Sequence, residues 1–565
     1  MVRTLLIVGL LTALVATTAA SAAPRKRHDV LSSATSELMP GVTYTREVDL
    51  TAAGPVVLDV VTAPKPDGTV YSLAPVLSKG GFSGTQTLTR MGRGLRARAT
   101  TVGVDGDYTT TSGQPSSILM ESGALENQPN VGRTSLGITA DGMLEAAKVS
   151  FYGTWQATAG QRILTLNSGR GHFTLFTPAY GGSTPLETGS VAEAVFSWFP
   201  AAQASKDLTG TVAQVTSAGG TPIPKGGAVL VARGSDYVTQ LSNEAPVGGK
   251  VTVHLTLTPD WSGNASAIGG GPLLVEDGKA LFANGEAFPT GTLQSRSARG
   301  AVGQLADGRI VLVSVEAGTP EYSVGITSYS LALELVKLGA VTAVGLGSGP
   351  QAGMAFDGSL LTRPSTGVEK GIADALVLSY TGVYAPPVAP VLSPNGDGVG
   401  DTEALSYRLV RPATVTATLN GPNGATVSIP AGAQPKGSHT FAWDGTSASV
   451  PQAEGAWTFS VSATDDRSVT TTAERTFTLD KTLGSLTVSG RRIPTARFVL
   501  SRKANVVVRV ERRSGVAVKT FNLPHLVAGA HHVSWKGKGV GKYLMRVDAT
   551  SAIGTSSLVA PFSLR

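Results

Sequence analysis

Sixty-nine glycines punctuate this 565-residue chain without a collagen period. Between them run short segments rich in Ser, Thr and Val. Glycine reaches the backbone angles that tight turns demand, and β-branched side chains suit a pleated strand. The pattern predicts many short strands joined by turns, with segments such as Pro55-Val56-Val57-Leu58-Asp59-Val60-Val61 read as alternating strands. The length exceeds one ordinary domain, so three or more units are expected, each large enough to bury a core. With 41% apolar and 15% charged residues, most of the chain is not disordered. The absence of cysteine excludes disulfides, thiolate metal sites and a cysteine nucleophile.

The clearest helix runs from Ser328 to Leu338, where Leu331, Leu335 and Leu338 share one face. Thr327 or Ser328 caps its start and Gly339 ends it. A strand from Ala340 to Leu346 and a glycine turn at Gly347-Ser348-Gly349-Pro350-Gln351 follow. Helix and strand together in a mostly β region predict an α+β domain.

The chain opens Met1-Val2-Arg3-Thr4, followed by an apolar run from Leu5 to Ala16 and small residues to Ala22. A basic start, a short apolar stretch and an A-x-A site predict a secretory signal peptide over residues 1–22. The apolar run is shorter than the ~20 residues of a membrane span. The mature chain is expected to lack a transmembrane segment, to be secreted, and to suit a bacterial exoprotein. Residues 23–44 read as a loose polar leader.

Ala385-Pro386-Pro387-Val388-Ala389-Pro390 predicts an extended linker over residues 384–392. Two copies of one pattern follow. The first holds His439-Thr440-Phe441-Ala442-Trp443 and later Gly455-Ala456-Trp457-Thr458-Phe459. The second holds His531-His532-Val533-Ser534-Trp535 and later Gly541-Lys542-Tyr543-Leu544-Met545. Hairpin signals precede each, at Pro422-Asn423-Gly424 and Arg513-Ser514-Gly515. Two all-β immunoglobulin-like sandwiches are expected, at 393–481 and 482–565.

Four segments occur in a fixed order: Arg299-Gly300-Ala301-Val302-Gly303; Asp307-Gly308-Arg309-Ile310-Val311-Leu312; Ser323-Val324-Gly325-Ile326-Thr327, entering the helix; and Pro364-Ser365-Thr366-Gly367-Val368-Glu369. In this order they resemble the phosphodiester glycosidase family, which includes the enzyme that uncovers mannose 6-phosphate by removing N-acetylglucosamine. Upstream, Gly103-Val104-Asp105-Gly106-Asp107-Tyr108 is similar to the family's Asn-Gly-(Gly/Asp)-Phe turn. Gln114-Pro115-Ser116 and Asn130-Val131-Gly132-Arg133-Thr134 are similar in spacing to its bacterial secreted members. The resemblance covers residues 45–383 and implies hydrolysis of a sugar 1-phosphodiester. The family's hallmark Asn-x-Asp-Gly-Gly-Gly-Ser turn is replaced by Gly345-Leu346-Gly347-Ser348-Gly349-Pro350-Gln351, without its carboxylate. Glu316 stands where the family has an aspartate, and Asp105 where it has an asparagine.

Separating an anomeric carbon from a phosphate oxygen needs less acid catalysis than expelling an alkoxide. It still needs a carboxylate, to activate water or stabilise positive charge, and cations to hold the phosphate. The resemblance and this chemistry nominate Asp105, Asp107, Glu316 and Glu369 as catalytic carboxylates. Arg133 and Arg299 are the phosphate clamps, because a guanidinium can hold two oxygens at once. Ser323, Ser348 and the amides of Gly347 and Gly349 complete the substrate-binding set. Each has a plain alternative: Asp105 and Asp107 shape a turn, and Arg299 and Glu316 form a surface pair. None of the seven histidines accompanies a G-x-S-x-G nucleophile elbow.

Ser393-Pro394-Asn395-Gly396-Asp397-Gly398-Val399-Gly400-Asp401 is similar to the opening of flagellar hook-capping-type immunoglobulin-like modules. Asn395, Asp397 and Asp401 offer oxygens for calcium, the alternative being an Asx-rich turn without metal. No organic cofactor is expected. Residues 482–565 carry 14 basic and two acidic side chains, against a net +7 for the whole chain. This asymmetry predicts an anionic extracellular or cell-wall glycan as partner rather than nucleic acid, or else a solvated basic face. Two functions follow: a secreted hydrolase of a sugar 1-phosphodiester, or a non-catalytic glycan-binding protein on a degenerate enzyme fold.

Overall fold

The computed structural model describes residues 29–169, 171–282, 285–396, 398–537 and 540–564. The expected signal peptide, the first residues of the expected leader, Asp397, Lys538 and Arg565 lie outside the described residues. The chain is multi-domain and mostly β. Among the described residues three short α-helices occur, α1 (Leu88–Leu95), α2 (Ser235–Glu244) and α3 (Ser328–Lys337). None is long and apolar enough to cross a membrane.

An eight-stranded sheet organises the first unit, in the order Asp29–Met39, Val42–Thr51, Gly54–Ala63, Ile310–Val315, Arg299–Leu305, Ala340–Ser348, Leu273–Glu276 and Lys279–Ala280. The segment expected as a loose leader is therefore, from Asp29, the sheet's edge strand, paired along its length with Val42–Thr51. Gly54–Ala63 is central and buried on both faces. Its apolar residues consequently run almost continuously instead of alternating with polar ones.

One face of this sheet carries α3. Thr327 Oγ1 accepts from the Ser330 amide at 3.1 Å, and Gly339, at φ +92°, closes the helix. Leu331 and Leu335 are buried with Val56, Leu58 and Val313, and Leu338 packs at their edge. Each buried leucine contributes roughly 1.5–3 kcal/mol. The other face meets a five-stranded sheet, Ser359–Leu360, Met354–Phe356, Thr100–Asp105, Asp374–Tyr380 and Tyr71–Leu77, through Val102, Val104, Leu376, Val302 and Val344. A second eight-stranded sheet, with Trp155, Phe173 and Phe196 in its core, packs against Leu241 of α2.

The proline segment is extended but is not a free spacer. Tyr384 and Arg408 exchange backbone hydrogen bonds at 3.1 and 2.7 Å, Arg475 Nε donates to the Ala385 carbonyl at 2.9 Å, and Val391–Leu392 joins a sheet strand. Beyond it, a five-stranded and a two-stranded sheet enclose Trp443 and Trp457, whose rings lie 4.8 Å apart. The final segment folds into a three-stranded and a four-stranded sheet around Phe498, Val508 and Met545. There Trp535 meets Tyr543 edge-on at 5.3 Å, so the paired aromatics of the sequence pattern are in contact in both copies.

Candidate functional site

Several strand ends meet at one edge of the first unit. Asp105 closes Thr100–Asp105, and its neighbour Ala375 follows Asp374, the first residue of the adjoining strand. Asp105, Asp107 and Asp374 are almost completely buried, at 1%, 2% and 0% exposure. Asp105 accepts from the Gly353 amide at 3.1 Å and Asp374 from the Asp107 amide at 2.8 Å. Asp107 accepts from the Tyr108 amide at 2.7 Å and from Ser116 Oγ at 3.0 and 3.1 Å.

Glycines make room for these carboxylates. A Cβ at Gly106 would lie 2.5 Å from Asp374 Oδ1, at Gly269 2.5 Å from Asp107 Oδ2, and at Gly300 2.5 Å from Asp105 Oδ1. At Gly347, the position of the missing hallmark carboxylate, it would lie 2.6 Å from Asp105 Oδ2. Asp105 therefore fills the space that a side chain at position 347 would enter.

Burial raises all three acids. Asp105 and Asp374 are pushed well above the usual carboxylate range, Asp374 by burial and then by the Asp107 charge. Asp107 is pushed up by burial to about 6, with Arg133 restraining the rise.

Tyr108 is the meeting point of the other groups. Arg133 lies 4.9 Å from its ring and 5.0 Å from that of Phe288, a cation–π arrangement. Arg133 Nη1 donates to Ser116 Oγ at 3.0 Å, while its buried Nε has no acceptor among the described residues. Arg299, 3% exposed, donates only to carbonyls: Ile326 at 2.9 Å, Thr292 at 2.7 Å and Ser295 at 2.9 Å. Burial lowers its pKa. Burial raises the Tyr108 phenol to about 12, against the opposing effects of Ser348, Arg299 and Arg133. Neither arginine forms an ion pair among the described residues, so two guanidiniums face one region without a carboxylate at contact distance.

The structure thus brings together Asp105, Asp107, Arg133, Arg299 and Ser348, and adds Asp374, Tyr108 and Ser116. It places the remaining residues differently. Glu316 is buried and accepts from Arg46 and from the Arg363 amide, both at 2.9 Å; Arg46 also binds Asp59 at 2.8 Å. The Arg299–Glu316 surface pair does not exist, because both residues are buried and each has other partners. Glu369 accepts from the Thr89 amide at 2.8 Å and its hydroxyl at 2.7 Å, which caps the first turn of α1. Ser323 Oγ accepts from the Val57 amide at 3.2 Å and donates to the Glu316 carbonyl. The amides of Gly347 and Gly349 donate to Gly106 and Ala298 carbonyls, each at 2.8 Å, so neither is available to an anion. Asp401 accepts from the amides of Asn395, Gly396 and Gly398 at 2.8, 2.6 and 2.7 Å, so its carboxylate holds the preceding glycine-rich loop through backbone N–H groups.

Asp374 was missed because a single Asp ahead of the apolar Ala375-Leu376-Val377-Leu378 reads as a strand start. Its signal is that this carboxylate opens a strand buried on both faces.

Residues 202–379 match the phosphodiester glycosidase family. Residues 395–467 match the FlgD Ig-like domain. The glycosidase match holds Arg299, Ser348 and Asp374, whereas Asp105, Asp107 and Arg133 precede it. A hypothetical protein from Synechocystis has a similar fold, with TM-score 0.51 and 23% identity over 60% of this chain and 62% of its own. The zebrafish N-acetylglucosamine-1-phosphodiester alpha-N-acetylglucosaminidase catalytic domain matches with TM-score 0.34 and 15% identity, covering 62% of this chain and 87% of that domain. An SPbeta prophage-derived protein of Bacillus subtilis is 32% identical over 88 residues, 16% of this chain and 14% of its own length.

Proposed function

We propose that the chain is an exported hydrolase of a sugar 1-phosphodiester in an extracellular or cell-wall glycan. It would combine an α+β glycosidase-like domain with two immunoglobulin-like modules. The observation that supports this best is the pair of guanidiniums, Arg133 and Arg299, beside Tyr108 and a buried carboxylate trio. Arg299 is a buried cation without an acid partner, which is costly, and a phosphodiester would supply the missing charge both to it and to the partly exposed Arg133. Asp107 is the member of the trio whose charged form is favoured by a neighbouring cation, Arg133, so it carries the negative charge used to activate water or to stabilise positive charge at the anomeric carbon. Asp105 takes the place of the hallmark carboxylate from the adjacent strand end.

The test uses methyl phosphodiesters of glucose, mannose and N-acetylglucosamine 1-phosphate at micromolar protein. At least one is expected to release free sugar. Activity should fall as pH drops through about 6, because protonation removes the charge on Asp107. Arg133→Ala and Asp107→Asn should each lower kcat/KM by roughly 100-fold. No release from any diester would overturn hydrolysis and leave the non-catalytic glycan-binding alternative.

The terminal module is proposed as an electrostatic anchor to an anionic wall glycan. Its two acids, Glu511 and Asp548, are paired with Arg546 and Arg509, so the basic excess is not neutralised internally. Removing residues 482–565 should abolish binding to isolated cell walls at low salt, and the intact protein should be released at high salt. Unchanged, salt-insensitive binding would refute the anchor.

A further inference from the structure

A cleft of about 520 Å³ opens where the first unit meets the first immunoglobulin-like module. Its volume falls in the range of small-molecule sites, which favour domain junctions. One wall is the outer face of the paired strands Glu403–Leu409 and Gly437–Trp443. Register places Ser406 opposite Thr440 and Arg408 opposite Ser438, while the intervening Leu405, Tyr407 and Leu409 turn into the core. The result is a row of hydroxyls, with Ser406 Oγ 3.0 Å from Thr440 Oγ1. The facing wall contains Phe356 and Ser359, and Pro386 and Pro387 line the cleft from the linker.

The cleft is held open by a rigid junction. Arg408 donates to both oxygens of the buried Asp357 at 2.9 Å and to Thr100 Oγ1 at 2.6 Å. Arg408 also lies 5.2 Å from the Tyr384 ring, and that ring meets Phe356 at 5.9 Å. Arg96 Nε donates to Asp357, and the Arg96 side chain is half exposed at the rim. A preorganised site spends less binding energy on ordering itself.

We propose that this junction cleft is a carbohydrate subsite that holds a neutral oligosaccharide segment. A pyranose has an apolar C–H face and a rim of hydroxyls that both donate and accept. The cleft offers the matching chemistry: the apolar surfaces of Phe356 and the two prolines opposite the hydroxyls of Ser406, Ser438 and Thr440, which also donate and accept. A long acyl chain would strand those hydroxyls. A polyanion would find Asp357 in the wall and Arg408 already paired with it. The site is separate from the Tyr108 region and does not depend on retained hydrolysis.

The experiment is calorimetric titration of the full chain with neutral tetrasaccharides of β-1,4-linked glucose, β-1,4-linked N-acetylglucosamine and α-1,6-linked mannose. At least one is expected to bind with submillimolar Kd. Ser438→Trp, which fills the cleft from an exposed position, should weaken that binding at least tenfold. Ser406→Ala/Thr440→Ala should weaken it about fivefold, with melting temperatures unchanged in both variants. Arg133→Ala should leave the affinity intact, which separates this site from the proposed active site. No binding of any tetrasaccharide at millimolar concentration, or binding indifferent to both cleft variants, would overturn the proposal.

Discussion

A Cβ on Gly347 would stand 2.6 Å from Asp105 Oδ2, closer than two such atoms can approach, so the residues at 105 and 347 are coupled although 242 positions apart. The substitution of Asp for Asn at the upstream turn and the loss of the hallmark carboxylate looked like two separate departures in the sequence. In the fold they concern one volume. Gly347→Ala is expected to destabilise the protein by about 1–3 kcal/mol through overpacking. In Asp105→Ala/Gly347→Ala much of that penalty should vanish, since the added methyl then meets no carboxylate. Chemical denaturation of the single and double variants measures the coupling, and strict additivity would show that the two sites are independent.

At the scale of elements, what the sequence showed was what depends on neighbours along the chain. The helix at Ser328 was legible because its apolar period and its Thr327 cap lie within a dozen residues. Helix α1 was not legible. Gly92 and Gly94 lower its propensity, and a Cβ on Gly92 would come within 3.0 Å of the Gly358 amide. Its N-terminus is completed by Glu369, which the family resemblance nominated as a catalytic carboxylate. Glu369→Ala should therefore cost about 1 kcal/mol of stability, read as a lower melting temperature, and leave kcat on the responsive diester unchanged. A large fall in kcat at unchanged stability would return Glu369 to the chemistry.

For the whole molecule, the junction between the first unit and the next module is a set of charged contacts rather than a flexible tether. Arg408 grips Asp357, and Arg475 pairs with Glu37 at 2.9 Å, on a strand whose residues read as a loose leader. Composition showed the prolines but not the partners that pin them. Arg408→Ala leaves Asp357 with only the half-exposed Arg96, and losing one partner of a largely buried pair costs roughly 3 kcal/mol. The first unit and the module should then unfold in separate calorimetric transitions. A single transition at the original temperature would mean that the ion pair does not couple them.

Local pattern was enough to determine the strand-rich character, the α3 helix, the paired aromatics of the two C-terminal copies and the charge asymmetry. Each of these is carried by composition or by a short repeat. Tertiary structure alone decided which carboxylates are enclosed together, that Asp374 joins Asp105 and Asp107, that Glu316 belongs with Arg46, and that the glycine-turn amides are already bonded. The physical reason is that burial and hydrogen-bond partnership are set by strands brought together from distant parts of the chain. Those neighbours determine whether a given Asp, Glu or Arg is charged, paired or open to a substrate.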